Sequence, residues 1–139
     1  MRVHNFKYRK IHKVRAKPHV LDYKRIGLMH GQYGLRALEG SRLSSSQLES
    51  ARRSIKKVIK KSGVLWIKFD VNLPVTKKPA EVRMGKGKGS YSHSVGIVKI
   101  GTILFELGGD QLNHKLAKEA CDQAGKRLPF KTEFICYKT

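Results

Sequence analysis

Apolar residues recur along this chain with two different periods. From about Ser46 to Ser62, Leu48, Ala51, Ile55, Val58 and Ile59 fall at i, i+3, i+7, i+10 and i+11. That spacing stacks them into one stripe of an α-helix. Ser44-x-x-Gln47 and Ser46-x-x-Glu49 both have the capping-box spacing at its start, and Gly63 is placed to stop it. A second helix is expected from about Gln111 to Lys126, N-capped by Asp110, with Gly125 near its end. Leu112, Leu116, Ala117, Ala120 and Ala124 form its stripe.

Elsewhere the period is two. Val64 to Asp70 alternates, with Leu65, Ile67 and Phe69 on one face and Trp66 and Lys68 on the other, the pattern of a half-buried strand. Trp66 is read as core. Tyr91 to Ile100 and Thr102 to Leu107 predict a hairpin turning near Gly101, and Pro129 opens a last strand from Phe130 to Tyr137. Gly27, Gly31 and Gly34 interrupt an apolar stretch and predict an irregular strand leading toward Arg42. Pro74 and Pro79 predict irregular chain up to the glycine-rich stretch that follows. The sum is an α+β fold: a largely antiparallel sheet with two helices packed on it, a basic N-terminal extension (residues 1–26), and a long Gly/Lys loop at about 77–90 within a core of residues 27–139. At 139 residues one domain is expected.

Charge changes the picture from fold to partner. Thirty Lys and Arg against ten Asp and Glu give +20, far beyond what solubility requires. Residues 1–90 hold 23 of those cations and five acids, whereas residues 91–139 hold seven and five. A polyanion is the expected partner, bound by the first two thirds of the chain.

Three stretches concentrate the cations. On the first helix, Arg52, Arg53, Lys56, Lys57, Lys60 and Lys61 take the face opposite the apolar stripe. A solvated face would alternate signs at i,i+4, but the pairs 52/56, 53/57, 56/60 and 57/61 are all like-charged. Phosphates are the expected counterions.

In the loop, Arg83-Met84-Gly85-Lys86-Gly87-Lys88-Gly89-Ser90 alternates glycine with lysine. Glycine permits positive φ and close approach of backbone N–H groups to an anion. The spacing is neither that of a P-loop nor that of a dinucleotide fingerprint. In the N-terminal stretch, Lys7, Arg9, Lys10, Lys13, Arg15 and Lys17 interleave with Phe6, Tyr8 and Ile11, as in a segment laid along a nucleic-acid backbone and ordered by it.

Other chemistry finds little support. The six histidines include no pair three to five apart and neither cysteine belongs to a Cys-x-x-Cys pair, so no zinc motif is built locally and no cofactor is expected. Cys121 and Cys136 are read as a buried, reduced pair in preference to a disulfide. No apolar run approaches the roughly 18 residues of a membrane span. The basic N-terminus lacks the apolar core of a secretory signal and the serine richness of a transit peptide, and is expected to persist in the mature protein.

An architectural DNA-binding protein would also be basic, but no helix-turn-helix or wedge arm is visible. An RNA-acting enzyme would need an acid–base pair, nucleophile or metal cluster, and the acids and histidines form no such local motif.

Ala51-Arg52-Arg53, Leu65-Trp66-Ile67, the run Lys78-Pro79-Ala80-Glu81-Val82-Arg83-Met84-Gly85-Lys86-Gly87-Lys88-Gly89, and Phe105-Glu106-Leu107 together resemble the ribosomal protein L-sixteen family of the large subunit, in order from about Phe6 to Phe134. The resemblance implies a non-catalytic constituent of the large ribosomal subunit, seated on large-subunit rRNA beside neighbouring ribosomal proteins, without membrane or small-molecule substrate. Its glycine loop would point toward A-site tRNA near the peptidyl transferase centre. Carried over by motif, Arg83, Lys86 and Lys88 are the expected tRNA and rRNA contacts of the loop. Lys7, Arg9, Lys10, Lys13 and Arg15, with the cationic helix residues, are the expected rRNA anchors. Val14 to Tyr33 departs from the family pattern. The wording Leu73-Pro74-Val75-Thr76 and Pro79-Ala80-Glu81 is more like mitochondrial members, so a mitochondrial matrix ribosome is expected, with bacterial cytoplasm or plastid as the alternative.

Overall fold

The computed structural model describes residues 6–12, 21 and 26–137. Two antiparallel sheets and two helices share one core. The first sheet has strand order β3-β6-β1-β7, built from β1 (Tyr33–Ala37), β3 (Val64–Ile67), β6 (Ile103–Gly108) and β7 (Thr132–Cys136). The second has order β2-β5-β4, from β2 (Ser41–Ser44), β4 (Leu73–Lys77) and β5 (Ser90–Val98).

Helices α1 (Ser45–Ile59) and α2 (His114–Gly125) pack against each other and bury the stripes their periodicity announces: Leu48, Ala51, Ile55 and Ile59 from α1, Ala117, Ala120, Cys121 and Ala124 from α2. These meet Leu35, Leu104, Phe105 and Leu107 of the first sheet and Leu43 and Val98 of the second in a single apolar cluster. The α+β class follows from both helices needing a sheet face against which to lose water.

Where the structure departs from the sequence reading, the cause is local. Of the two candidate capping boxes only Ser44/Gln47 forms: Ser44 Oγ accepts from Gln47 N–H, and the Gln47 side chain accepts from Ser44 N–H at 3.0 Å. Glu49 is drawn away from the second box by two arginines described below. The helix ends at Ile59, earlier than expected, and Lys60 takes the positive φ (46°) expected of Gly63. Gly63 instead allows close packing, since a Cβ there would sit 3.0 Å from the Gly108 carbonyl. Similarly, the N-cap position of α2 falls at Asn113, whose side chain makes no capping hydrogen bond, and not at Asp110, because residues 109–112 close a turn through Leu112 N–H to Gly109 O at 3.1 Å.

The predicted hairpin is not one. β5 and β6 are joined through a turn in which Gly101 has φ +84°, yet they belong to different sheets: β5 pairs with β2 and β4, and β6 with β1 and β3. Residues 73–77, expected to be irregular, form a strand. β4 lies at a sheet edge, where a strand tolerates the absence of the N–H that Pro74 lacks. Ile67 stays 42% exposed rather than inward, because β3 is also an edge strand, and Cys136 is exposed while Cys121 is buried. The cysteines are both free but are not a buried pair. Trp66 is half-buried.

Candidate nucleic-acid interface

The glycine loop leaves the second sheet at Lys77 and rejoins it at Ser90, two positions that pair across β4 and β5. Its base is therefore a ladder rung, and residues 79–88 are all exposed. Gly85, Lys86 and Gly87 take φ of +99°, +53° and +86°, three successive left-handed residues that only a glycine-rich stretch adopts cheaply. Gly89 answers a different need: a Cβ there would lie 2.6 Å from the Lys77 carbonyl, so the closing strands could not approach.

Arg83 and Lys86 stand in solvent at the tip beside Met84, which is 97% exposed. Lys88 does not. Its ammonium donates to the Ile11 carbonyl, and the Lys10 ammonium donates to the Lys88 carbonyl at 3.3 Å. Lys78 closes the loop from within by donating to the Gly85 carbonyl.

These contacts dock the N-terminal segment onto the loop base, assisted by Phe6 and Tyr91, whose ring centroids are 6.1 Å apart. The segment therefore has protein contacts as well as exposed charge at Lys7, Arg9 and Lys10. Lys7 lies over the Tyr8 ring at 5.5 Å. Lys13 and Arg15 fall outside the described residues.

On α1 the six cations divide into two groups. Glu49 accepts from Arg52 through Nε at 2.8 Å and Nη2 at 2.7 Å, and from Arg53 Nε at 3.1 Å. The Arg52 hydrogen bond, opposed by partial burial and reinforced by Arg53, holds the Glu49 carboxyl at about 2. The expectation of six uncompensated charges is thus corrected to four. Lys56, Lys57, Lys60 and Lys61 are exposed and pair with no acid among the described residues.

Arg53 and Lys57 also line a shallow depression with Ser46, Ser50, Ser54 and Arg127, and with Glu49, whose carboxylate is taken up by Arg52 and Arg53. Hydroxyls and cations on one surface suit phosphate oxygens. Arg127 had no signal in sequence because it follows α2 and reaches this surface only through the packing of α2 on α1.

One residue with structural weight gave no signal of its role in the sequence. Glu106, fully buried in β6, accepts from the backbone N–H groups of Met29 (3.2 Å), His30 (2.7 Å) and Gly31 (3.2 Å), with Lys68 at 3.8 Å. Burial pushes its carboxyl up, but those donors and the lysine outweigh burial and hold it below the ordinary glutamate value. Cys121 is pushed up to about 12 by burial and the neighbouring Asp122.

Among the described residues no group of three His, Cys, Asp or Glu side chains is arranged to hold a metal, and no helix is long and apolar enough to cross a membrane.

An exposed glycine-lysine loop, a docked basic segment and a cationic helix on a small α+β scaffold make up a protein with an extended cationic surface. The chain belongs to the family Ribosomal protein L16p/L10e, whose model matches residues 3–135. It is 44% identical over 129 residues to the large ribosomal subunit protein uL16 of Rhodopseudomonas palustris, covering 93% of this chain and 91% of the relative. To the uL16 of Buchnera aphidicola subsp. Baizongia pistaciae it is 43% identical over 131 residues, covering 94% and 93%.

Proposed function

We propose that this protein is a non-catalytic structural constituent of the large ribosomal subunit that binds large-subunit rRNA, contacts neighbouring ribosomal proteins, and helps position A-site tRNA near the peptidyl transferase centre. Full-length similarity to two proteins named for the large subunit carries the first part of this reading. The cationic surfaces support the second. Lys7, Arg9, Lys10, Lys13 and Arg15, with Lys56, Lys57, Lys60 and Lys61, act as rRNA anchors by displacing counterions from phosphates. Arg52 and Arg53 contribute less charge, since Glu49 offsets part of theirs.

Arg83 and Lys86 reach tRNA or rRNA from the loop tip, while Lys88 fixes the loop to the N-terminal segment and meets RNA from there. The wording of residues 73–81 favours a mitochondrial ribosome, although the two relatives named above are bacterial. Sedimentation of a lysate at high magnesium tests the assignment. The chain is expected to run with the large subunit after a high-salt wash; finding it free, or with DNA, would overturn it.

A further inference from the structure

The glycine loop has a narrow root. Lys77 and Ser90 form one rung between β4 and β5, and everything from residue 79 to residue 88 is exposed. A glycine-rich loop held only at such a rung swings about it, because little in its backbone resists rotation. Two lysine side chains oppose that motion. Lys78 donates to the Gly85 carbonyl inside the loop, and Lys88 donates to the Ile11 carbonyl outside it. The first brace closes the loop on itself. The second fixes it to a distant part of the chain.

That distant part is itself anchored at two points. Among residues 6–12 only Phe6 and Ile11 are half-buried, and Lys7, Tyr8, Arg9, Lys10 and His12 are exposed. Phe6 meets the Tyr91 ring at 6.1 Å between centroids, and Ile11 shares a cleft of about 370 Å³ with Leu73, Pro74 and Val75 of β4 and Val95 of β5. Tyr91 and Val95 are four residues apart on β5, at most about 13 Å, and the five steps from Phe6 to Ile11 reach up to about 17 Å, so the segment can lie along β5 with both anchors engaged. Between the anchors Lys10 donates to the Lys88 carbonyl at 3.3 Å. Segment and loop are thus joined by two hydrogen bonds running in opposite directions.

We propose that residues 6–12 are a strap that fixes the direction in which the glycine loop projects, with Phe6, Ile11 and Lys88 as positioning residues for Arg83 and Lys86 at the tip. What the tip meets rests on the RNA-binding reading above; the strap adds two apolar residues that no charge argument selects. A loop whose direction is set in advance loses less freedom when its tip engages a partner. Lys7 and Arg9 ride on the strap between its anchors, so RNA held by them and RNA met by the tip share one frame.

Ile11→Ser tests this, because Ile11 lies outside the core cluster and its replacement changes no charge. In the full-length protein carrying Cys136→Ser, a fluorophore on Met84→Cys reports motion of the tip by time-resolved anisotropy. The residual anisotropy is expected to fall by roughly half in Ile11→Ser and in Lys88→Met, as nanosecond loop motion is released. Lys88→Arg, which can still donate to the Ile11 carbonyl, should restore it. Purified ribosomes carrying Ile11→Ser should accommodate A-site tRNA roughly three- to tenfold more slowly, in proportion to the time the tip spends out of its direction. Unchanged anisotropy in both Ile11→Ser and Lys88→Met would overturn the strap. Normal accommodation with Ile11→Ser beside slowed accommodation with Arg83→Ala would overturn its positioning role and leave the reading of the tip standing. Normal accommodation with both would overturn the reading of the tip and the positioning role with it. Should Ile11→Ser fail to fold, Phe6→Ala at the other anchor is read in the same way.

Discussion

The Glu106 carboxylate and the His30 backbone N–H meet at 2.7 Å across 76 residues of sequence. Met29 and Gly31 donate to the same carboxylate at 3.2 Å, so one buried side chain holds three consecutive backbone donors of the segment that leads into β1. A charge placed in the interior is tolerated only when so fully paired. Gly31 is required at this point: a Cβ would fall 2.4 Å from the Leu107 carbonyl. Glu106→Gln keeps one acceptor oxygen for the backbone donors but removes the charge and sets an amide NH2 against Lys68 or the donors, and is expected to cost about 2–4 kcal/mol. Urea denaturation of the purified protein measures it, and a loss below about 0.5 kcal/mol, the level of an ordinary surface change, would refute the clamp.

The same carboxylate gives stability an acid limb. Glu106 and Glu49 both titrate below their unfolded values, Glu49 at about 2. Groups so depressed bind more protons unfolded than folded, so their contribution is complete above about pH 4.5 and is lost as pH falls through the folded values. Unfolding free energy is expected to fall steadily from pH 4.5 toward 2, and Glu106→Gln should flatten part of that slope, Glu49 supplying the rest. An unchanged slope in the variant would show that Glu106 contributes little.

Replacing Lys56, Lys57 and Lys60 together with Gln removes three exposed cations and all four like-charged pairs, 52/56, 53/57, 56/60 and 57/61. Folding stability should be unchanged or slightly higher. RNA affinity should fall, with the slope of log K against log salt shallower by roughly 2–3. Filter binding across a salt series reads the slope, and assembly into large subunits reads the consequence.

Arg83→Ala at the exposed loop tip removes no contact within the described protein and should leave stability and subunit assembly near wild type. Its expected defect lies in tRNA placement, read as slowed A-site accommodation by purified ribosomes. Normal accommodation would reassign the loop to rRNA alone.

The thiols should separate cleanly. Cys136 is exposed, whereas Cys121 is buried between the helices and the sheet with a thiol pushed up to about 12. A maleimide at neutral pH is expected to label one thiol per native chain and two after denaturation. Two rapid native labels would contradict the packing of α2.

Legibility tracked how local each determinant is. Both helices were readable because a stripe of Leu, Ile and Ala at helical spacing depends on nothing beyond its own turn, and the loop because glycines at alternate positions permit the left-handed backbone at Gly85 and Gly87. Helix ends were less secure, since Ser44 and Ser46 offered equivalent boxes until Arg52 and Arg53 claimed Glu49. The false hairpin had the right turn and the right strands. Nothing in Gly101 says that β5 will find β2 and β4 while β6 finds β1 and β3.

The sequence by itself determined the α+β composition and the concentration of positive charge on the first helix and in the glycine loop, because periodicity and charge are properties of contiguous residues. The tertiary structure decided which of those charges are free. It neutralised part of Arg52 and Arg53 with Glu49, turned Lys88 back onto the N-terminal segment, brought Arg127 beside α1, and joined Ile11, Arg42 and Val75 around one cleft. Whether a cation faces solvent or a carboxylate depends on side chains meeting across sheets and helices, and residues that pair across such distances leave no pattern along the chain.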